Sequence, residues 1–428
     1  MSDSALEMSQ EARRLWLKAG TQDDLDHVES LLRAALNAKQ SSKSATTKKD
    51  KKKRQRQQYA ELTKSDYRKA GERLSLLYCQ SGRTEKAKYG LQFLGFTCRL
   101  AKSVLDYPHG KKRNLPIQNS KKSSKKKSQK NSKNTTNCPC IILDNFLHKF
   151  ELEHLQGVFE DRRADYWASH SYQVEPPSPY FSYVIDLKSS ENHGGKDNQL
   201  GFIGQLARLI RKLPELQAKF PELRQTRYVE LWGHNRPHAS GHQLHFDSDD
   251  EGRGGEIRNP VCSTILYLTN CEDNSNNQYF KMVGGPSLVT NQRLTSTTLA
   301  TKGWLAHPKP LRLVAFDGRV LHGVIPGKGV QIGRRTTLMM AFWKHIKIRD
   351  EPTQGSARPF PLQTAGKNDQ PVWAMQLTDS NVKVPKGRPN SMKEEAPISL
   401  STVYETLDGE PWKPEYGMPD YEDVFQGF

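Results

Sequence analysis

His245-Phe246-Asp247, with His322 further along and Arg334-Arg335 after it, are the residues of this chain best suited to chemistry. Two histidines and one carboxylate make a facial set that holds a non-haem Fe(II) and leaves three coordination positions open. The rings must bind as neutral imidazoles and the carboxylate as its anion, and both conditions hold near neutral pH at ordinary pKa values. An arginine about a dozen residues past the second histidine adds a rigid fork suited to a carboxylate-bearing co-substrate. Each piece alone is common in a chain with 13 His. Their order, spacing and strand context carry the weight.

Residues i and i+2 of a strand face the same way. One strand running over 242–247 therefore projects His245 and Asp247 together, and the third ligand comes from another strand. His322 lies in such a strand, flanked by Leu321 and Gly323-Val324. His234, His238 and His242 precede the first ligand at helix-like spacings, which would suit a zinc site. Pro237 and Gly241 argue against a helix there, so a loop is expected to run into the metal-bearing strand. His242 is then expected near the cofactor pocket and His234 or Arg236 near substrate, with solvated loop residues an equal reading for His234 and His238. Arg334 and Arg335 must point to opposite sides of their strand, and composition does not separate the two faces.

Seven short strands are expected, over 228–232, 242–247, 261–269, 287–290, 311–316, 320–325 and 335–343. Alternation, β-branched residues and Gly/Pro/Asn turn signals mark them. This pattern predicts an all-β sandwich or jelly roll.

From Ile141 to Ile346, about half the chain, the sequence resembles the prolyl-4-hydroxylase-like branch of the Fe(II)/2-oxoglutarate-dependent dioxygenases. The resemblance rests on His245-x-Asp247, His322, Arg335-x-Thr337 and the opening Ile141-Ile142-Leu143-Asp144-Asn145-Phe146-Leu147, with a helix expected near 150–162. It implies a mainly β catalytic domain, a double-stranded β-helix of the jelly-roll or cupin kind with flanking helices. It also implies Fe(II), 2-oxoglutarate and O2, with ascorbate an optional addition. Carried over, His245, Asp247 and His322 bind iron and Arg335 grips the distal carboxylate of 2-oxoglutarate. Thr337 lies on the same face, Tyr267 offers its hydroxyl, and Trp232 and Ile265 line the pocket. The implied reaction is hydroxylation of a C–H bond in a protein or peptide, with peptidyl proline favoured. A small-molecule hydroxylase and a catalytically silent β-sandwich used for binding are the alternatives. The nucleic-acid demethylase branch has a second arginine six residues after the first, where this chain has Met340 or Ala341. That departure counts against an alkylated base.

The net charge of +18 is concentrated in two tracts. Residues 41–60 hold eight Lys/Arg against one Asp, and residues 110–134 hold ten with no acid. Such segments are expected to be disordered. They offer a contact to nucleic acid or another polyanion by counterion release, and read equally as a nuclear address or a solubilising linker. No aromatic residue interleaves with the lysines of the second tract, so base stacking is not indicated.

The expected organisation has four parts. Residues 1–108 form a small helical module interrupted by a basic tract at 41–57, and 109–137 form a Lys-rich linker. Residues 138–348 form the catalytic domain, and 349–428 a linker followed by an aromatic and acidic tail. Cysteine numbers six, and Cys138-x-Cys140 is too little for structural zinc. The first ten residues do not look like a signal or transit peptide, and no run of 18 apolar residues is present. A reducing intracellular compartment is expected, the nucleus ahead of the cytoplasm.

Overall fold

A computed structural model describes residues 4–41, 62–108, 138–172, 181–188, 200–249, 257–269, 282–349, 357–362 and 370–427. Most of both basic tracts therefore lies outside the described residues. The strands are β1 (Cys98–Leu100), β2 (Cys140–Asp144), β3 (Tyr183–Asp186), β4 (Tyr228–Pro237), β5 (His242–His245), β6 (Cys262–Tyr267), β7 (Ser287–Arg293) and β8 (Gly303–Ala306). They continue as β9 (Leu313–Asp317), β10 (Val320–Val324), β11 (Arg334–Trp343), β12 (Arg358–Pro359), β13 (Lys393–Glu395), β14 (Ile398–Leu400), β15 (Tyr404–Thr406) and β16 (Val424–Phe425).

Two large sheets dominate. One runs β12-β3-β4-β11-β6-β9-β2-β13 and the other β14-β8-β7-β10-β5. All their pairings are antiparallel except β12 with β3. A strand stands at each of the seven expected places, with different limits.

Alternation along the strands divides the apolar residues into three layers. Trp232, Ile265, Met339, Ala341 and Trp343 of the larger sheet share a core with Val289, Trp304 and Val320 of the smaller one. The intervening positions Leu231, Leu338, Met340 and Phe342 turn outward, against the helices Lys149–Phe159, Gly201–Lys212 and Val372–Leu377. The outer face of the smaller sheet, with Leu244, Leu288, Leu305 and Leu321, packs against Trp16, Val28, Leu32, Leu76 and Leu91 of the N-terminal helices. Each sheet thus buries both faces, which removes a long apolar surface from water on either side.

Local signals set the N-terminal helices. Ser4 caps Ala5–Trp16 in a capping box with Glu7, and Thr63 caps Lys64–Gln80 by accepting from the Asp66 amide. Gln22–Ser41 and Thr84–Phe93 complete the set.

The structure corrects three expectations. The helix expected near 150–162 ends at Phe159. The tail, expected as a linker followed by an aromatic and acidic stretch, contributes strands of its own. Its strands β12 to β16 extend all three sheets, and β15 and β16 flank β1 in the third. Buried ion pairs fix it at both ends, Arg388 with Glu151 at 3.0 Å and Arg99 with Glu405 at 2.9 Å. Sequence reading missed these strands because they are two or three residues long, too short for a period to show. Third, β5 stops at His245, so Asp247 lies just beyond the strand rather than within it. Among the described residues, no helix is long and apolar enough to cross a membrane.

Candidate active site

His245 and His322 face each other across neighbouring strands. They are directly paired in the β5–β10 register, with ring centroids 4.4 Å apart. The register shifts next to His322 on both sides, against β5 and against β7. Such irregularities re-aim a side chain and gather near active sites. Gly323 permits the approach: a Cβ there would meet the His242 carbonyl oxygen at 2.8 Å. A side chain at this position would therefore push β10 away from the strand that carries His245.

Asp247 reaches the same point from beyond the strand end because the larger sheet holds it. The Ser263 hydroxyl on β6 donates to Asp247 Oδ2 at 2.6 Å, and the Asn259 side-chain amide donates to the Asp247 carbonyl at 2.6 Å. Oδ1 is left toward the histidines, 3.5 Å from His245 Nε2 and 3.5 Å from His322 Nε2. One ligand atom from each of the three residues lies within 4.8 Å of the others.

The other ring nitrogens are already engaged. His245 Nδ1 lies 2.9 Å from the Gln243 carbonyl and His322 Nδ1 3.0 Å from the Val320 carbonyl. Those contacts place a proton on Nδ1 and leave the lone pair of Nε2 for a metal. His322 Nε2 is buried without a hydrogen-bond partner. A buried polar atom in that condition is costly unless something else binds it. Burial alone would raise the Asp247 carboxyl, but His322 and His245 pull it well below the usual carboxylate range. Burial works the other way on His322, and Asp247 outweighs it to raise the ring. An anionic carboxylate facing the Nε2 atoms of two histidines fits a divalent cation.

The triad opens into a cavity of about 900 Å³. All the expected pocket residues line it: Trp232, Ile265, Tyr267, Arg335 and Thr337. Arg335 shares the parity of Met339, which is buried between the sheets, so its side chain turns inward. It is 3% exposed, its Nη1 donates to the Gly285 carbonyl at 3.3 Å, and its Nε has no partner. Among the described residues no carboxylate pairs with it, and Arg236 stands opposite it in the β4–β11 register. Burial presses its pKa below the ordinary arginine value, yet a guanidinium remains charged throughout the working range. An under-bonded, buried cation beside a second cation favours an anionic ligand.

Arg334 points the other way. Both its Nε and Nη2 donate to Asn235, the Nη2 bond to the backbone carbonyl at 2.6 Å. Of the two adjacent arginines, Arg335 is the one that lines the cavity. Thr337 sits opposite Tyr267 in the β6–β11 register, and the Tyr267 hydroxyl lies 2.9 Å from Ser287 Oγ.

The region 234–242 differs from the expected loop. His234 and Arg236 lie on β4, which runs to Pro237, and His242 opens β5. His234, Arg236 and His242 all line the cavity. Burial holds the rings of His234 and His242 well below the usual histidine range, so both are neutral near pH 7. His238 is not a solvated loop residue. It is buried, and its Nδ1 accepts from the Gly284 amide at 2.9 Å, which fixes the loop over Arg335.

Ser263 and Asn259 are site residues that sequence reading missed. Nothing in their spacing from Asp247 marks them, because the contact crosses between sheets. Carboxylate ligands depend on such outer partners, whose loss typically weakens metal binding about 10- to 100-fold. Ser263→Ala is therefore expected to weaken Fe(II) binding by that order while the protein stays folded, as titration with Fe(II) under anaerobic conditions would show. Unchanged affinity would mean that Ser263 does not orient the carboxylate.

No family model and no curated protein matches the chain. Solved structures do. A prolyl-4-hydroxylase from Pseudomonas putida is 17% identical over 48% of this chain and 89% of its own, with a TM-score of 0.29. A viral collagen prolyl hydroxylase from Paramecium bursaria Chlorella virus-1, solved with 2-oxoglutarate, is 14% identical over 48% of this chain and 96% of its own, TM-score 0.27. Iron-bound HygX from Streptomyces hygroscopicus is 12% identical over 52% and 91%, TM-score 0.29.

Proposed function

We propose that this protein is an Fe(II)- and 2-oxoglutarate-dependent oxygenase that hydroxylates a C–H bond in a protein or peptide, and that its two facing sheets form a double-stranded β-helix. One observation carries the reading. Three ligand atoms of His245, Asp247 and His322 converge within 4.8 Å, in the same cavity that holds the buried and under-bonded Arg335.

His245, Asp247 and His322 would hold the iron on one face, leaving the opposite face to co-substrate and oxygen. When bound, the iron would activate O2, which is the oxidant for C–H hydroxylation, with 2-oxoglutarate as the co-substrate oxidised alongside to succinate and CO2. The protein's part is placement. Arg335 binds the distal carboxylate, with Thr337 and Tyr267 beside it, and Trp232 and Ile265 exclude water from the pocket. Neutral His234 and His242 add polar contacts without repelling a cation. Peptidyl proline is the favoured target, on the strength of the sequence resemblance over Ile141–Ile346.

The test is succinate formation from 2-oxoglutarate with Fe(II) and oxygen, together with mass spectrometry of candidate peptides for a gain of one oxygen. Absence of succinate above the metal-free background would end the oxygenase reading.

The Lys-rich tracts are assigned to localisation and polyanion contact. Deleting 41–57 and 110–134 is expected to spare succinate formation. It should also reduce nuclear accumulation and flatten the salt dependence of nucleic-acid binding, because log affinity falls roughly 0.9 per phosphate contact for each tenfold rise in salt. An unchanged salt slope and distribution would make the tracts spacers.

A further inference from the structure

The cavity of the metal site has a second wall that the catalytic sheets do not supply. Arg13 and Trp16 of the helix Ala5–Trp16, with Lys69, Arg73 and Leu76 of the helix Lys64–Gln80, line it together with the triad. A second cavity of about 410 Å³ lies between the same two helices. Arg13, Lys69 and Arg73 line both. These three cations therefore stand where the two cavities adjoin, and the inner cavity holds the triad.

The charge along this groove is one-sided. Among the described residues, the outer cavity is lined by Arg13, Arg14, Lys69 and Arg73 against a single acid, Asp66. Arg14 is committed to Glu11 at 2.6 Å, and Asp66 accepts from Thr63 Oγ1 at 2.6 Å in its helix cap. Glu72, on the inner cavity, pairs with Arg68 at 2.9 Å and also faces Arg73 and Lys69. At the inner end stands Arg236, whose Nε is buried without a partner. Clefts lined by one sign of charge with low-dielectric walls concentrate ligands of the opposite sign.

We propose that this groove is the substrate channel and that it selects an acidic peptide, whose Asp and Glu side chains meet Arg13, Lys69, Arg73 and Arg236 while the residue to be oxidised reaches the metal site. This rests on the oxygenase reading above and adds the substrate class. Two adjoining cavities suit an extended chain better than a compact metabolite. Leu6 and Leu17, half-buried in the outer cavity, give a peptide aliphatic surface. Single-stranded nucleic acid needs open aromatic faces for base stacking, whereas Trp16, Trp232, Tyr267 and Phe316 of the inner cavity are all at most 5% exposed and Phe246 is half-buried.

The test uses the full-length protein and a fluorescent Glu-rich peptide of about a dozen residues with a central proline. Charge-matched oligothymidylate and a Lys-rich peptide serve as competitors. Binding of the acidic peptide is expected to weaken with salt and to fall at least about tenfold in Arg13→Glu/Arg73→Glu, since reversed charges at the channel now repel the ligand. Lys69→Glu, a change at an exposed position that leaves the core untouched, is expected to weaken binding in the same direction. Thermal melting of each variant guards against misfolding. Unchanged peptide affinity in Lys69→Glu and in a folded double variant overturns the channel. Displacement by oligothymidylate at lower concentration than by unlabelled acidic peptide assigns the groove to nucleic acid and also overturns it. Succinate release by the unaltered protein without peptide reads the oxygenase step separately. A protein that binds the peptide but forms no succinate refutes the oxygenase reading and leaves an acidic-peptide binding site.

Discussion

Asp247→Ala is expected to abolish Fe(II) binding and bring 2-oxoglutarate decarboxylation to background. Asp247 is the anionic member of the ligand set, and its carboxylate is the one group that lies 3.5 Å from both His245 Nε2 and His322 Nε2. Without it, two neutral imidazoles face a divalent cation with no compensating charge. The loss should come without unfolding, because the variant also removes a buried anion whose desolvation is costly. Anaerobic metal titration and succinate assay, with a melting curve as control, check this. Turnover like that of the unaltered protein would remove Asp247 from the ligand set and the facial triad with it.

Arg335→Ala is expected to leave iron binding intact and raise the 2-oxoglutarate requirement steeply. Truncating one partner of a buried, hydrogen-bonded charge pair costs about 2–5 kcal/mol, which at 1.4 kcal/mol per decade is about 30- to 4,000-fold in affinity. The upper part of that range applies here because Arg335 is enclosed, with little water to replace it. Arg334→Ala should act weakly, since its contacts go to Asn235 on the outer side of the strand. Measuring succinate formation against 2-oxoglutarate concentration in both variants separates them. A larger effect from Arg334 would place the anion site on the other face of β11.

Much of the site was legible in the sequence because it obeys local rules. Strand parity grouped Arg335 with Thr337, whereas Asp247 joins His245 from beyond the strand end through Ser263 and Asn259 rather than by the i, i+2 rule. The two faces of β11 could not be told apart from composition, since Met339 and Met340 are equally apolar. Only the packing of Met339 between the sheets assigns them. The part that stayed hidden is relational. Ser263 supports Asp247 across the gap between sheets, and Arg13 and Arg73 reach the cavity from helices that the sequence marks only as a small helical module. In place of the loop expected over 234–242, Pro237 closes one strand and Gly241 precedes the next, since both residue types mark strand ends as readily as loops.

The third sheet has a consequence for how the chain reaches its final form. Its middle strand, β1, comes before the catalytic sheets in sequence, while both of its partners, β15 and β16, come after them. The edges of the two large sheets likewise wait for β13 and β14. A growing chain emerging from a ribosome therefore exposes β1 and two open sheet edges until its last segment is made. Such late, distant pairings slow folding and prolong the interval in which open edges can recruit other chains. The short terminal strands, weak as individual elements, act as the closing step of the whole assembly.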